Sequence, residues 1–191
     1  MKFILASASP RRRELLANAG FEFETQASQI EEVHRPDESP HDYVSRLARE
    51  KALNVARHAA PGCLVLGADT EVVIGGEILG KPRDVEDAAR MLRLLSGKVH
   101  QVITAVCLVA APLRIVAQRH AVTKVTFASL DEREIQEYAA SGEPLDKAGA
   151  YAIQGLASKF VTYIEGSYSN VMGLPIHIVY DLLNQFEDSF Q

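Results

Sequence analysis

Three consecutive arginines, Arg11, Arg12 and Arg13, directly follow Ser9-Pro10, and a short apolar run, Phe3-Ile4-Leu5, precedes them through the small residues Ala6, Ser7 and Ala8. Ser9 reads as a helix N-cap and Pro10 as the first helical residue, where a missing N–H costs nothing. A helix N-terminus carries unpaired N–H groups and a partial positive charge, so acids suit its first turn and arginines oppose it. An anionic ligand reverses that sign, because backbone donors, dipole and guanidinium forks then converge on phosphate oxygens. The chemistry on offer is the holding of a phosphate chain. A solvated basic turn balanced by Glu14 accounts for the same residues equally well. Successive helical positions turn by about 100°, so the three arginines cannot share one ligand, and Arg12 falls on the side of Leu16, near the buried rim.

Asp69 follows the apolar run Cys63-Leu64-Val65-Leu66-Gly67-Ala68. This predicts a carboxylate at the end of a buried strand, where α/β proteins place chemistry, or else a turn aspartate serving a hairpin. Thr70 and Glu71 add polar atoms beside it. Glu31 and Glu32 lie in a polar loop and could join Asp69 around a hard cation, since magnesium takes oxygen ligands and few protein carboxylates; alone they read as solvated acids. Gly75-Gly76-Glu77-Ile78-Leu79-Gly80-Lys81 has the glycine and lysine spacing of a P-loop, but Pro82 replaces the magnesium-binding hydroxyl and the flanks read as a hairpin. Lys81 then reads as a surface lysine after a turn, with phosphate contact by another geometry still open. The run from Asp146 to Gly155 mixes small and polar residues, and Gln154 within it could pair with a base edge or simply stand in a loop leading to a strand. Six scattered histidines form no zinc spacing, and no GxSxG elbow is present, which argues against zinc hydrolysis and acyl-enzyme chemistry.

These residues need elements to hold them. Phe3–Leu5 and Phe21–Thr25 read as strands, and Glu31–Pro40 as an acidic loop. Ser39-Pro40 opens a helix whose apolar positions from Asp42 to about Ala59 leave Arg49, Glu50 and Arg57 on more exposed faces. A strand stopping at Asp69 is followed by a hairpin around Gly75-Gly76. Asp84–Leu95 reads as an amphipathic helix, Gln101–Ala110 and Arg114–Phe127 as long antiparallel strands, and Leu130–Ala140 as a helix. The final helix, about Pro175 to Phe186, has Ile176, Val179, Tyr180, Leu182 and Leu183 at core spacing.

With 191 residues, 47% hydrophobic and 24% charged, the chain has the composition of a globular protein with one substantial core or two small lobes. A net charge of −5 gives no footprint for nucleic acid and leaves room for a local basic pocket. Cys63 and Cys107 lack CxxC spacing and read as buried reduced thiols, which predicts a reducing compartment. No leader pattern or long apolar segment is evident, so the expected location is cytoplasmic, with no membrane partner.

Taken in order, ASASPRRRELL, the lysine of AREKA, GADT, GEILGKPRD, LSGKVHQV, EPLDKAGAYAIQG and NVMGLP closely resemble Maf-like nucleoside triphosphate pyrophosphatases over almost the entire chain. GADT with AYAIQG resembles the subgroup acting on dTTP and UTP. The resemblance implies one domain over residues 1–191 and a mixed α/β fold, with an elongated sheet and two lobes around a central cleft, similar to the inosine triphosphate pyrophosphatase fold. It also implies a homodimer, a divalent cation (magnesium or manganese), and hydrolysis between the α and β phosphates. Matched position by position, it makes Asp69 the general base and, with Glu32, a metal contact. It assigns Ser7, Arg11, Arg12, Lys51 and Lys81 to the phosphates, and Arg12, Thr70 and Gln154 to base specificity. Arg13 lies where relatives vary. Glu71 departs from the apolar residue of many relatives; it could join the metal shell, but strand alternation favours an exposed hairpin residue that points away from the cleft. The competing expectation is a nucleotide-binding regulator of septum formation that need not turn over.

Overall fold

Short apolar runs alternating with amphipathic stretches fold into a mixed α/β architecture in the computed structural model, which describes residues 2–188. The strands are β1 (Phe3–Leu5), β2 (Phe23–Thr25), β3 (Leu64–Ile74), β4 (Glu77–Leu79), β5 (Val99–Ala110), β6 (Arg114–Phe127) and β7 (Val161–Glu165). The helices are α1 (Pro10–Asn18), α2 (Pro40–Ala56), α3 (Val85–Leu95), α4 (Glu132–Ala140), α5 (Tyr168–Val171) and α6 (Ile176–Asp188), with 3₁₀ turns at Glu143–Asp146, Ala148–Ala150 and Leu156–Phe160. The strands form a seven-stranded sheet in the order β2-β1-β3-β5-β6-β7, with β4 paired to β3. It is mixed, as expected: β1 runs parallel to β2 and β3, whereas β3–β4 and β6–β7 are antiparallel.

The chain divides into two compact units. One contains the residues up to Asp69, Thr104–Ala121 and the chain from Gly173 onward; the other contains Thr70–Ile103 and Val122–Met172. The first has a core of Phe3, Leu5, Leu16, Leu64, Leu66, Val106, Leu108, Leu174, Val179 and Leu182. Helix α1 buries only Arg12 and Leu16 in it, so burial of the Leu16 side chain, worth about 2 kcal/mol, carries much of its apolar attachment. The second packs α3 and α4 together around Leu92, Leu95, Phe127, Ile135, Tyr138 and Phe160. Helix starts follow local chemistry. Ser39 and Asp84 accept from the backbone N–H three residues on, and Asp131 with Glu134 closes a reciprocal capping box. Ser9 holds the N-cap position of α1, yet its hydroxyl makes no capping bond and the first turn has no acid.

Several expectations need correction. Strand β3 does not stop at Asp69 but continues to Ile74, because sheet pairing uses backbone groups and tolerates the polar Asp-Thr-Glu run once its side chains find surroundings. Glu71 is buried, not exposed; strand alternation puts it on the same face as Asp69 and sends Thr70 to the other. Tyr180 is 57% exposed despite its apparent core spacing, whereas Val179 beside it is buried. Cys63 is half-buried, one residue ahead of β3, while Cys107 is buried with its thiol pushed up to about 11 by desolvation; both are free thiols. Strand β7 and helix α5 have no counterpart among the expected elements. The P-loop-like glycines form the expected hairpin, with Gly75 and Gly76 at φ 58 and 86 and Val72 facing Leu79. No helix of the described residues is long and apolar enough to cross a membrane.

Candidate active site

The first unit builds a charged site at the ends of β1 and α1. Pairing continues past β1, with Ala6 N–H donating to Leu66 O at 2.8 Å, and delivers Ser7 to the helix start. The Ser7 hydroxyl accepts from the Ser9 N–H at 3.1 Å and from Arg12 Nη1 at 3.3 Å. Arg12 is buried on the Leu16 side, as its helical position predicts. Its Nε donates to Gly173 O and its Nη1 to Ala68 O, both at 2.8 Å. The guanidinium therefore ties α1 to the carbonyl that precedes Asp69. Arg11 is half-buried in the same turn and Arg13 is exposed.

Lys51 reaches this region from α2. Its Nζ lies 2.6 Å from Asp69 Oδ1 and 2.7 Å from Glu32 Oε1, with Lys51 and Asp69 buried and Glu32 about half exposed. The approach of α2 to β3 depends on Gly67, where a Cβ would stand 2.1 Å from Ala48 O and 2.7 Å from Ala52 N. Ala48, Lys51 and Ala52 share one helix face, so the glycine that admits the two alanines also brings in the lysine. Burial drives the Asp69 carboxyl above the ordinary carboxylate range, while the charges of Lys51 and Arg12 pull it back and that of Glu32 adds to the rise. Asp69 Oδ2 is buried and makes no hydrogen bond.

The loop carrying Glu32 is fastened by residues the sequence analysis did not single out. The Tyr43 hydroxyl donates to Glu32 O at 3.2 Å, and Arg46 Nη2 donates to Val33 O at 2.9 Å. Arg46 is itself held by both oxygens of Glu38, at 2.6 and 2.8 Å, and by Glu50 at 3.1 Å. The available signal was Tyr43 and Arg46 at i, i+3 on one helix face beside an acidic loop. Arg46 holds the Glu38 carboxyl down to about 2, against an ordinary 4.5. A depressed carboxyl contributes stability that is fully present above 4.5 and is lost as pH falls through about 2. Glu38→Gln should therefore flatten the loss of unfolding free energy over that window, as measured by urea titration at stepped pH. An unchanged slope would show that Glu38 and Arg46 do not pair in this way.

The other expected residues belong to the second unit. Thr70 is half-buried on β3, and Lys81 and Gln154 are exposed. The backbone before Lys81 is fixed where Gly149 N–H donates to Gly80 O at 3.1 Å. The backbone after it is fixed where Asp87 Oδ2 accepts from Arg83 N–H at 3.1 Å and Oδ1 accepts from Arg90 Nε at 2.8 Å. Thus Ser7 meets Arg12, and Glu32 and Asp69 each meet Lys51, within the first unit; Thr70, Lys81 and Gln154 are carried by the second.

Two carboxylates converging on one ammonium, with a buried carboxylate oxygen left over, form a hard-oxygen donor set that suits a divalent cation. Among the described residues no group of three or more His, Cys, Asp or Glu is arranged to hold a metal. An ion here would complete its shell with water or substrate oxygens, which is the habit of magnesium.

Residues 2–186 match the family described as Maf-like protein. The chain is 52% identical over 185 residues to the dTTP/UTP pyrophosphatase of Xanthomonas euvesicatoria pv. vesicatoria, covering 95% of this chain and 97% of that protein. It is 55% identical over 182 residues to the dTTP/UTP pyrophosphatase of Escherichia coli O157:H7, covering 95% and 91%. Among solved structures it is similar to the Staphylococcus aureus Ham1 protein, 11% identical over the whole of both chains with a TM-score of 0.49. With the family match running almost from end to end and more than half of the residues shared with such relatives, the chain belongs to the Maf-like protein family.

Proposed function

We propose that this chain is a nucleoside triphosphate pyrophosphatase that hydrolyses dTTP and UTP between the α and β phosphates, yielding the nucleoside monophosphate and pyrophosphate. The observation that carries this reading is the buried Asp69, ion-paired through Lys51 to Glu32 and keeping one carboxylate oxygen without a hydrogen bond. In this reading Asp69 Oδ2 accepts the proton of the water that attacks the α phosphorus, an oxygen free to do so because no protein donor holds it. Lys51 keeps positive charge beside the transferring group, and Arg12 fixes more of it against Ala68. Ser7, Arg11 and the first turn of α1, which lacks any acid, hold the leaving pyrophosphate as its charge develops. Lys81 adds a further phosphate contact, and Arg12, Thr70 and Gln154 govern base choice. Asp69 and Glu32 would hold a magnesium or manganese ion, which supplies charge neutralisation of the phosphates and a more acidic water when bound.

The reading includes a cytoplasmic homodimer of single-domain chains. The relatives' names support an enzyme over a regulator that binds nucleotide without turnover. The direct test is pyrophosphate release from dTTP, UTP, CTP, ATP and GTP, with magnesium, with manganese and with excess chelator. Metal-dependent release selective for dTTP and UTP is expected, and chelation should abolish it. No release from any nucleotide would overturn the enzyme and leave the regulator.

A further inference from the structure

Gln154 is exposed in a segment between two 3₁₀ turns, yet the backbone on both sides of it is held by one pair of side chains. Tyr138 Oη accepts from Ala152 N–H at 3.2 Å and donates to Glu143 Oε1 at 2.8 Å. The other Glu143 oxygen accepts from Leu156 N–H at 3.1 Å. Between these anchors, Gly155 N–H donates to Ala152 O at 3.0 Å and closes a tight turn around Gln154. A Cβ on Gly155 would lie 2.3 to 2.6 Å from three atoms of the Glu143 carboxyl group. The Gly155 backbone is extended, with φ −102, so any residue could adopt it, but a side chain here would displace the Glu143 carboxylate from its present position. The Tyr138 ring is itself fixed edge-on against Phe160 at 5.5 Å and is 3% exposed. Burial and Glu143 both raise its hydroxyl above the ordinary range, so it stays protonated and remains a donor.

We infer that Tyr138 and Glu143 are positioning residues for base selection, clamping residues 152–156 so that the Gln154 amide meets the pyrimidine edge in one orientation. The inference rests on the reading of Gln154 as a base-contacting residue. UTP presents an acceptor and a ring N–H where CTP presents a donor and a ring acceptor, so an amide discriminates between them only if its own oxygen and nitrogen are held in place.

The test compares kcat and KM for UTP and CTP in the metal-loaded full chain, in Tyr138→Phe, Gln154→Ala and the double variant. Tyr138→Phe, which keeps the ring packing and removes the hydroxyl, should lower the UTP-to-CTP ratio of kcat/KM by about tenfold, acting on KM for UTP more than on kcat. Gln154→Ala should lower it at least as far, and the double variant no further than Gln154→Ala alone. If Gln154→Ala shifts the ratio and Tyr138→Phe does not, the clamp is overturned while the reading of Gln154 stands. If Gln154→Ala leaves the ratio unchanged, both are overturned. Equal loss of kcat for both nucleotides in Tyr138→Phe, at constant ratio, marks general damage and also overturns the clamp. Glu143→Gln, which keeps the side-chain shape and one acceptor oxygen, should shift the ratio in the same direction, and it serves if Tyr138→Phe folds poorly.

Discussion

Asp69→Asn should lower the rate of pyrophosphate release by about 10³-fold while nucleotide binding changes by no more than a few fold. Asparagine fits the same buried space but accepts no proton, and Oδ2, the oxygen without a hydrogen bond, is the atom the substitution disables as a base. The fold should tolerate the change. Lys51 keeps Glu32 at 2.7 Å, and the variant removes a carboxylate whose burial opposes its own ionisation. Loss of negative charge near the phosphates offsets the weaker hold on a metal ion, so with metal in excess ground-state binding should change little. Single-turnover release of pyrophosphate and equilibrium titration with dTTP separate the two quantities. Activity within tenfold of the parent would remove Asp69 as the proton acceptor; loss of binding together with rate would make it a ligand-holding residue instead.

The second large effect is structural. Gly67→Ala should destabilise the chain by about 3 kcal/mol or more, because the added Cβ meets Ala48 O at 2.1 Å, Ala52 N at 2.7 Å and Ala52 Cβ at 2.9 Å. Two of those atoms are backbone, so relief requires α2 itself to move away from β3. Lys51 sits on that same face and would retreat with the helix from Asp69, so the rate of hydrolysis should fall together with the midpoint of urea unfolding. An unfolding midpoint equal to the parent's would show that the helix has room to give and that Gly67 does not set the distance between Lys51 and Asp69.

How much of this was legible follows from the range of the interactions involved. The start of α2 at Ser39-Pro40, the Gly75-Gly76 hairpin and the span of β6 are written in neighbouring residues, since caps and tight turns use groups only a few positions apart. The course of β3 through Asp69, Thr70 and Glu71 was not, because a polar triplet looks like a turn until its surroundings are known. The expectation of an exposed Glu71 applied alternation to a separate hairpin, whereas alternation along a β3 that runs unbroken through Asp69 puts Glu71 on the Asp69 face, where it is buried. Gly67 looked like part of an apolar strand; only the helix laid against it gives the missing Cβ a meaning.

By itself the sequence determined most element boundaries, which are encoded in local pattern, and the ordered motifs that mark the family, whose resemblance in turn implied the mixed α/β class. Tertiary structure alone decided which charged and polar groups meet. Lys51 and Asp69 are 18 positions apart, and Arg12 and Gly173 are 161 positions apart. The pairing energy of such groups depends on distance and burial in the folded chain, quantities that no spacing along the sequence contains.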